Sequence, residues 1–358
     1  MLHPVPDSKL RRRLIRVVAL QRRLIRLLCD RDPGSTVDLP WLQQVWHEIP
    51  PVWVKRFWEK DKKNRRDSIL TLAAASAADK QRVIEIADEQ LRFRELWQPP
   101  CAVTLHKIDW KQEPFASLNK LLKSFYAPLF YDAEGYAFSH CSLAKSAFLE
   151  GVDRSARKVC PYCDNYLQKP ELDHFLPKDD FPFLSCHPDN LIPSCHDSNS
   201  ISHKGTNIPL DLEEADQTAN WFHPRWRSAR HQFKVEIGVK PDLSLTARLA
   251  PLAAHDEQRV SNLDKMFKLS EFWSRHIQDE LLLIGSQVSD LLQSEDAEAD
   301  EHLVKKKLML LAKLRHREIG KRGLVICHTA LYQFAADTPS VVSDILRQCR
   351  DQTRYAAN

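Results

Sequence analysis

Residues 160–204 decide the fold, and they read CPYCDNYLQKPELDHFLPKDDFPFLSCHPDNLIPSCHDSNSISHK. This stretch holds four of the nine cysteines and four of the fifteen histidines, with several Asp, Asn and Pro residues between them. A core segment consists mainly of apolar residues and needs no such mixture. We therefore expect a metal-dependent centre here, oriented by the longer segments on either side.

The composition is that of a globular protein with room for more than one domain. Of the 358 residues, 43% are apolar and 28% are charged, a balance that excludes a disordered chain. Glycine is scarce, which favours a mainly α fold. The formal net charge is only +4, so the chain as a whole is not a strongly basic nucleic-acid binder.

The N-terminus and the cysteines predict a cytoplasmic protein without a membrane segment. Residues 1–28 alternate apolar residues with arginines and lack the apolar core of a secretory signal. No run approaches 18 uncharged apolar residues. Five cysteines show no framework spacing, and those in the central stretch lie beside histidines, so metal binding is favoured over disulfides.

Periodicity predicts helices on both sides of the central stretch. Apolar residues recur at helical spacing over residues 8–30, in short segments to about residue 127, over Phe138–Val159 and again from residue 256. Residues 233–237 and 243–249 alternate and predict a hairpin. We expect a helical region over 1–135, the central module with this hairpin over 136–250, and a second helical region over 251–358.

Three basic runs lie in the helical regions: Lys9–Arg26, Lys55–Arg66 and Lys305–Arg322. A solvated helix face is the simpler interpretation of such a run. Contact with phosphates or with a partner protein is the alternative.

The cysteines of the central stretch predict a structural zinc site. Cys160 and Cys163 form a CxxC turn, and Cys195 opens a second pair in which Ser198 stands at the last position. Zinc takes four ligands, and a serine hydroxyl is a poor one. The fourth ligand is therefore left open among His196, Cys186 and His187. The alternative is that these cysteines are reduced and only pack.

A second set of residues predicts a hydrolytic metal site. Asp173 and His174 follow one another at a predicted strand over Tyr166–Leu167 and Glu171–His174. Asn199 and His203 are four residues apart, so a helix would place both on one face. A carboxylate, an amide oxygen and an imidazole suit Mg²⁺ or Mn²⁺, and a histidine ligand also admits Zn²⁺, Ni²⁺ or Co²⁺.

The order of these motifs resembles the HNH endonuclease family of the ββα-metal type. CxxC, Asp-His, Phe-Pro, Asn-Leu-Ile-Pro-Ser-Cys, Ser-Asn and Lys-Gly follow one another between Val159 and Pro209. The stretch is also similar to HNH nucleases of bacterial anti-phage defence systems, including the Septu-like nuclease subunit. The resemblance implies a small ββα-metal module between the helical regions, and a partner such as an ATPase.

The resemblance also implies a role for each matching residue. His174 becomes the general base, and Asn190 ties the loop to the backbone and so aims His174. Asp173 and Asn199 become metal ligands, with His203 a further candidate. Lys178 and Lys204 become candidate nucleic-acid contacts. Two departures stand out: Ser198 replaces the fourth zinc cysteine, and Lys204 follows Asn199 by five residues where the family more often has three.

These observations predict a cytoplasmic, metal-dependent endonuclease that cleaves DNA, with Mg²⁺ or Mn²⁺ at the catalytic site and Zn²⁺ at the structural one. An antiviral defence role follows from the resemblance alone. Two alternatives remain: a zinc-containing module that binds nucleic acid or protein without cleaving it, and an RNase.

Overall fold

A computed structural model describes residues 2–32, 34–98, 103–126, 145–150, 152, 158–293 and 299–356, with side chains up to residue 351. The fold is mainly helical, with two antiparallel two-stranded sheets in the described part of the chain. The helices before the central stretch are α1 (Arg11–Cys29), α2 (Leu39–Val45), α3 (Pro51–Glu59), α4 (Arg66–Ala73), α5 (Ala77–Leu91), α6 (Phe115–Lys123) and α7 (Lys145–Glu150).

Amphipathic patterning and polar caps explain these helices. In α1, Leu14, Val17 and Leu24 are fully buried at helical spacing, while most of its arginines face solvent. The Asp38 carboxylate accepts the Trp41 amide at the start of α2, and the Ser76 hydroxyl accepts that of Asp79 at α5. Each cap satisfies an amide that has no partner inside the helix.

The central stretch contains two strands and a short helix. Strand β1 (Glu171–His174) pairs antiparallel with β2 (Leu191–Ser194), so that Glu171 faces Ser194 and His174 faces Leu191. Helix α8 (His196–Asn199) follows β2 at once. The Cys195 sulfur caps this helix by accepting the Ser198 amide at 3.4 Å.

The C-terminal part begins with the second sheet. Strands β3 (Phe233–Val239) and β4 (Leu245–Pro251) form the predicted hairpin, with Val239 opposite Leu245. The helices that follow are α9 (Glu257–Phe267), α10 (Leu269–Gln293), α11 (Glu301–His316), α12 (Val325–Asp337) and α13 (Pro339–Ala356). Helix α10 packs along β4, and α11 packs along α12.

The buried apolar residues form two cores, and the central stretch contributes to both. The first core contains the inward faces of α1–α6 together with Leu172 and Leu191 of the central sheet. The second contains the C-terminal helices and hairpin together with Tyr162, Phe175 and Ile192. The central stretch therefore lies between the two cores. The domain boundaries at residues 135 and 250 stay a prediction.

Some predicted elements take another form. The helix over Phe138–Val159 is wrong at its end, because Val159 forms a bridge with Tyr166 instead. Residues 145–150 of this stretch are helical, and residues 138–144, 151 and 153–157 lie outside the described part. Tyr166–Leu167 does not extend β1, which starts at Glu171. Residues 103–109 belong to no helix or strand. No described helix is both long enough and apolar enough to cross a membrane.

Candidate functional site

Three cysteines of the central stretch meet in one buried group, here called the thiol cluster (Cys160, Cys163 and Cys195). Their sulfur atoms all lie within 4.8 Å of one another. The Sγ atoms of Cys163 and Cys195 are 3.6 Å apart. Tetrahedral zinc with Zn–S bonds of about 2.3 Å places two sulfurs about 3.8 Å apart. The spacing therefore fits a metal such as zinc.

Ser198 completes this group at the fourth position. Its Oγ lies 3.3 Å from the Cys195 sulfur and 3.6 Å from the Cys160 sulfur. Zinc–oxygen and zinc–sulfur bonds of ordinary length at a tetrahedral angle separate oxygen and sulfur by about 3.6 Å. The distances from the serine oxygen to two of the three sulfurs therefore fit a fourth ligand, although a hydroxyl is a weak one.

The three residues predicted as substitutes for Ser198 lie elsewhere. The His196 imidazole is exposed and contacts Glu171, with 2.9 Å between Nδ1 and Oε1. The Cys186 sulfur lies near Gln21 at 3.9 Å in the first core. The His187 ring packs against Phe93. Among the described residues, none of the three belongs to the thiol cluster.

The three thiols of the cluster differ in pKa. Burial raises the pKa of Cys160 to about 12. The thiols of Cys160 and Cys163 donate to the Cys195 sulfur and lower the pKa of Cys195. Cys195 is therefore the first of the three to become a thiolate, the form that binds a metal.

Asp164 connects the turn of the thiol cluster to the N-terminal segment and to the start of α12. Its carboxylate accepts from His3 at 2.6 Å and from the Ile326 amide at 2.9 Å. Its backbone carbonyl accepts the Leu324 amide at 2.6 Å, and the residue adopts the left-handed conformation with φ of 64°. The N-terminus of α12 and the N-terminal segment are thereby fixed to this turn.

The Asp173 carboxylate lies inside a buried polar group. Tyr162 donates to Oδ2 at 2.7 Å, and the Lys204 ammonium donates to Oδ1 at 2.9 Å. Lys204 also donates to the His174 carbonyl at 2.6 Å and is fully buried. Both carboxylate oxygens thus accept hydrogen bonds from within the protein. Because Lys204 is buried in this conformation, its ammonium is not accessible to nucleic acid.

His174 points away from Asp173, as neighbouring residues of a strand do. Its Nε2 lies 2.9 Å from the Ser185 carbonyl, and its ring packs against Tyr126 with 4.6 Å between centroids. Burial and the charge of Lys178 lower the pKa of His174 to about 3. The imidazole is therefore neutral at neutral pH. The Lys178 ammonium lies 4.9 Å from the centre of the Tyr126 ring.

Asn190 holds the loop between the strands. Its side-chain oxygen accepts the Leu176 amide at 2.7 Å. Its side-chain nitrogen donates to the carbonyls of Leu176 at 2.9 Å and Leu184 at 3.2 Å. These bonds fix the backbone that follows His174 and the turn that precedes Ser185, and so set the position of the imidazole.

Asn199 and His203 do not share a helix face, so this expectation was wrong. Helix α8 ends at Asn199, because Ser200 is extended and its hydroxyl donates to the Asp197 carbonyl at 2.7 Å. The Asn199 amide instead donates to Glu171 at 2.8 Å. The His203 Nδ1 lies 3.2 Å from the Ser200 hydroxyl.

In the described structure the side-chain hydrogen bonds of Asp173, His174, Asn199 and His203 go to other residues, not to one another. Their role as metal ligands and general base stays a prediction. The sequence interpretation missed Tyr162 and Glu171. Glu171 shares its strand face with Asp173, two residues apart, and this spacing was the available signal. Although burial opposes it, hydrogen bonds from Asn199 and His196 lower the pKa of the Glu171 carboxyl.

Comparison with known proteins yields one short similarity. A segment of 57 residues is 40% identical to the protein Ea31 of Escherichia phage lambda. The match covers 16% of this chain and 19% of Ea31, far less than two thirds of that relative's length. No protein-family model matches the chain, and no solved structure matches it. The function therefore rests on the residues themselves.

Proposed function

We propose that this protein is a metal-dependent endonuclease of the HNH type that cleaves DNA. One observation carries the proposal: β1 ends in Asp173 and His174, β2 pairs with it, and α8 with Asn199 follows directly. Two antiparallel strands and a helix in this order are what the family resemblance predicts. The bonds of Asn190 around the His174 loop support it further.

The predicted ligands supply chemistry that suits a divalent metal. Asp173, Asn199 and His203 offer a carboxylate, an amide oxygen and an imidazole. When bound, Mg²⁺ or Mn²⁺ would stabilise charge on the phosphate and on the leaving 3′ oxygen. In the described conformation the Lys204 ammonium holds Asp173, so this lysine has to move before Asp173 takes a metal.

His174 is the proposed general base, and its protonation state suits that role. A neutral imidazole accepts a proton from water, and burial keeps His174 neutral. A buried imidazole with a pKa of about 3 is nevertheless a weak base. We therefore expect binding of the anionic substrate to open the contact with Tyr126 and to raise this pKa toward the operating pH.

The test replaces His174 with Ala and, separately, with Asn. Loss of a general base costs about 10²–10⁴-fold in rate, so cleavage of plasmid DNA with Mg²⁺ or Mn²⁺ should fall by at least about 100-fold in both variants. His47→Ala, which removes an exposed imidazole, is the matched control and should keep full activity. Thermal unfolding of each variant shows that it is folded. Undiminished cleavage by folded His174→Ala would show that the base is assigned wrongly.

A second candidate is a module that binds DNA or protein without cleaving it. The buried contact of Asp173 with Tyr162 and Lys204 favours this alternative, because a carboxylate held in this way is structural. DNA binding without cleavage, in a protein that carries only the metal of the thiol cluster, would support it. Comparing single-stranded DNA, duplex DNA and RNA as substrates separates a DNase from an RNase.

An anti-phage role and a partner ATPase are proposals that rest on the sequence resemblance alone. Co-purification of a partner ATPase that changes the rate of cleavage would support both.

A further inference from the structure

The basic run of α11 presents one face that the proposed nuclease site does not use. Lys306, Met309, Leu310, Lys313 and His316 recur at helical spacing and are all exposed. With Gln333 of α12 they line a cavity of about 640 Å³. A set of apolar and basic side chains on one helix face is typical of a binding surface.

A second cavity continues this surface toward the hairpin. It measures about 270 Å³ and is lined by residues of β3 and α12, among them Phe233, Val235 and Ile326. His316 and Gln333 line both cavities. The two therefore form one surface, here called the basic groove, which runs from α11 across α12 to β3.

All charged side chains in the described lining of the basic groove are basic. Its described lining includes Arg230, Lys234, Lys306 and Lys313 and contains no Asp or Glu. Among the described residues, Arg230, Lys306 and Lys313 have no carboxylate within 4.0 Å, although Lys234 pairs with Glu236 outside the lining. The groove therefore offers cations that a ligand can pair.

Acidic residues of the same region pair with other cations. Asp337 lies 3.8 Å from Lys305, and Glu318 lies 3.5 Å from Arg315 and 3.4 Å from Arg322. Among the described residues these acidic groups therefore do not pair with Arg230, Lys306 or Lys313, and the positive charge of these three residues lies along the groove.

The floor of the basic groove is apolar. Met309 and Leu310 keep 45% and 39% of their surface exposed, and Leu314 beside them keeps 44%. An apolar floor lowers the free energy of a ligand that has an apolar face of its own. Phosphates need cations but gain nothing from such a floor, and Phe233 is the one Phe, Tyr or Trp ring that the described lining offers for a base to stack on.

We propose that the basic groove binds an acidic amphipathic helix of a partner protein. The apolar face of that helix packs on Met309 and Leu310, and its carboxylates pair with Lys306, Lys313 and Arg230. Helix α11 has 16 residues and at 1.5 Å per residue is about 24 Å long, a length that a partner helix of about four turns matches. This inference does not depend on the nuclease proposal.

The test uses the full chain and a synthetic probe. The probe is a fluorescein-labelled helical peptide of about four turns, with Leu at helical spacing on one face and Glu on the others. Fluorescence anisotropy should show saturable binding that weakens with salt. Lys306→Glu/Lys313→Glu and, separately, Leu310→Ser should each weaken binding at least tenfold, whereas Lys62→Glu/Lys63→Glu should leave it unchanged.

Two further probes decide between ligands. A scrambled peptide of the same composition, without an apolar face, should bind at least tenfold more weakly. Equal binding would reduce the site to unspecific charge attraction and overturn the proposal. A single-stranded oligo(dT) that binds more tightly than the peptide and loses affinity in Lys306→Glu/Lys313→Glu would assign the groove to nucleic acid instead. Absence of peptide binding to the folded chain would also overturn the proposal of a helix-binding groove.

Discussion

Lys204 determines what Asp173 can do. The lysine is fully buried, and its ammonium contacts the Asp173 carboxylate at 2.9 Å. A buried charge is costly unless it is paired, so removal of either partner alone would destabilise the metal-free fold. The ammonium also stands where a divalent cation would bind this carboxylate. The same contact thus supports a structural role for Asp173 and opposes the metal role.

Lys204→Met should separate these two roles. Methionine fills a similar volume but removes the charge, which leaves the Asp173 carboxylate with the hydrogen bond from Tyr162. We expect the variant to lose about 3–5 kcal/mol of stability without metal, as for a broken buried ion pair. Mn²⁺ should restore part of this loss and bind more tightly than in the original chain, as measured by calorimetry and thermal unfolding.

Lys169→Met, at an exposed position, is the control for Lys204→Met and should change neither quantity. A loss of stability in Lys204→Met that is equal with and without Mn²⁺ would make Asp173 a structural residue only.

The sequence motifs predicted which residues carry polar chemistry better than they predicted which residues these contact. Asn190 makes the loop bonds that the resemblance implied for it. By contrast, Lys204 was expected at a surface and lies inside. Its position depends on the turn over residues 201–206, which brings its ammonium back to Asp173 and cannot be derived from spacing. Glu171 was missed because its partners Asn199 and His196 are distant in sequence.

At the scale of the element, the turn of the thiol cluster joins α8 to the strands. Cys195 caps α8 and also belongs to the cluster. A metal bound by the cluster would therefore fix the start of this helix and, with it, Asn199. Loss of one strong ligand at Ser198 predicts a site that binds zinc more weakly than four thiolates do.

Ser198→Cys should raise the affinity for zinc. The serine oxygen already lies 3.3 Å and 3.6 Å from two sulfurs of the cluster, so a thiolate there completes a four-sulfur site. We expect about a tenfold or larger gain, measured by competition with a chelator, and stronger charge-transfer absorption with Co²⁺. Ser200→Cys, outside the cluster, should give no gain. Equal affinities for Ser198→Cys and the original chain would show that the thiols do not bind the metal.

The periodicity of apolar residues predicted the long helices and the hairpin, but it did not predict the short or irregular segments. The hairpin β3–β4 and the helices after residue 256 appear where periodicity predicts them, because these elements bury apolar side chains at regular spacing. Helix α8 is short because Ser200 is extended, and side-chain bonds of Ser200 to Asp197 and His203 end it. Such local competition between side chain and backbone leaves no periodic signal.

At the scale of the whole molecule, buried neutral histidines lie where the central stretch meets its neighbours. His187 packs on Phe93, and its Nδ1 accepts the Asp189 amide at 3.3 Å. His223 stacks on Trp226 with 4.1 Å between centroids, and its Nδ1 accepts the Arg225 amide. Protonation of either ring would break its backbone bond and bury a charge. Both sites therefore require the neutral form.

The stability of the whole fold should consequently fall in mild acid. Burial, followed by the charge of Arg11, lowers the pKa of His187 to about 3, against about 6.5 when unfolded. Between these values the unfolded chain binds more protons than the folded one, so the free energy of unfolding decreases as the pH falls. For His187 alone we expect a loss of about 2 kcal/mol between pH 7 and pH 5.

His187→Asn isolates this contribution, because asparagine also accepts a hydrogen bond but does not titrate in this range. Urea unfolding at pH 7 and pH 5 should show a smaller decrease for the variant, by about 2 kcal/mol. Comparing the two slopes removes the contribution of carboxylates, which is common to both proteins. His106→Asn, at an exposed position, should keep the original slope. If His187→Asn keeps it as well, then His187 is protonated in the folded protein and its surroundings are more accessible to water than the structure indicates.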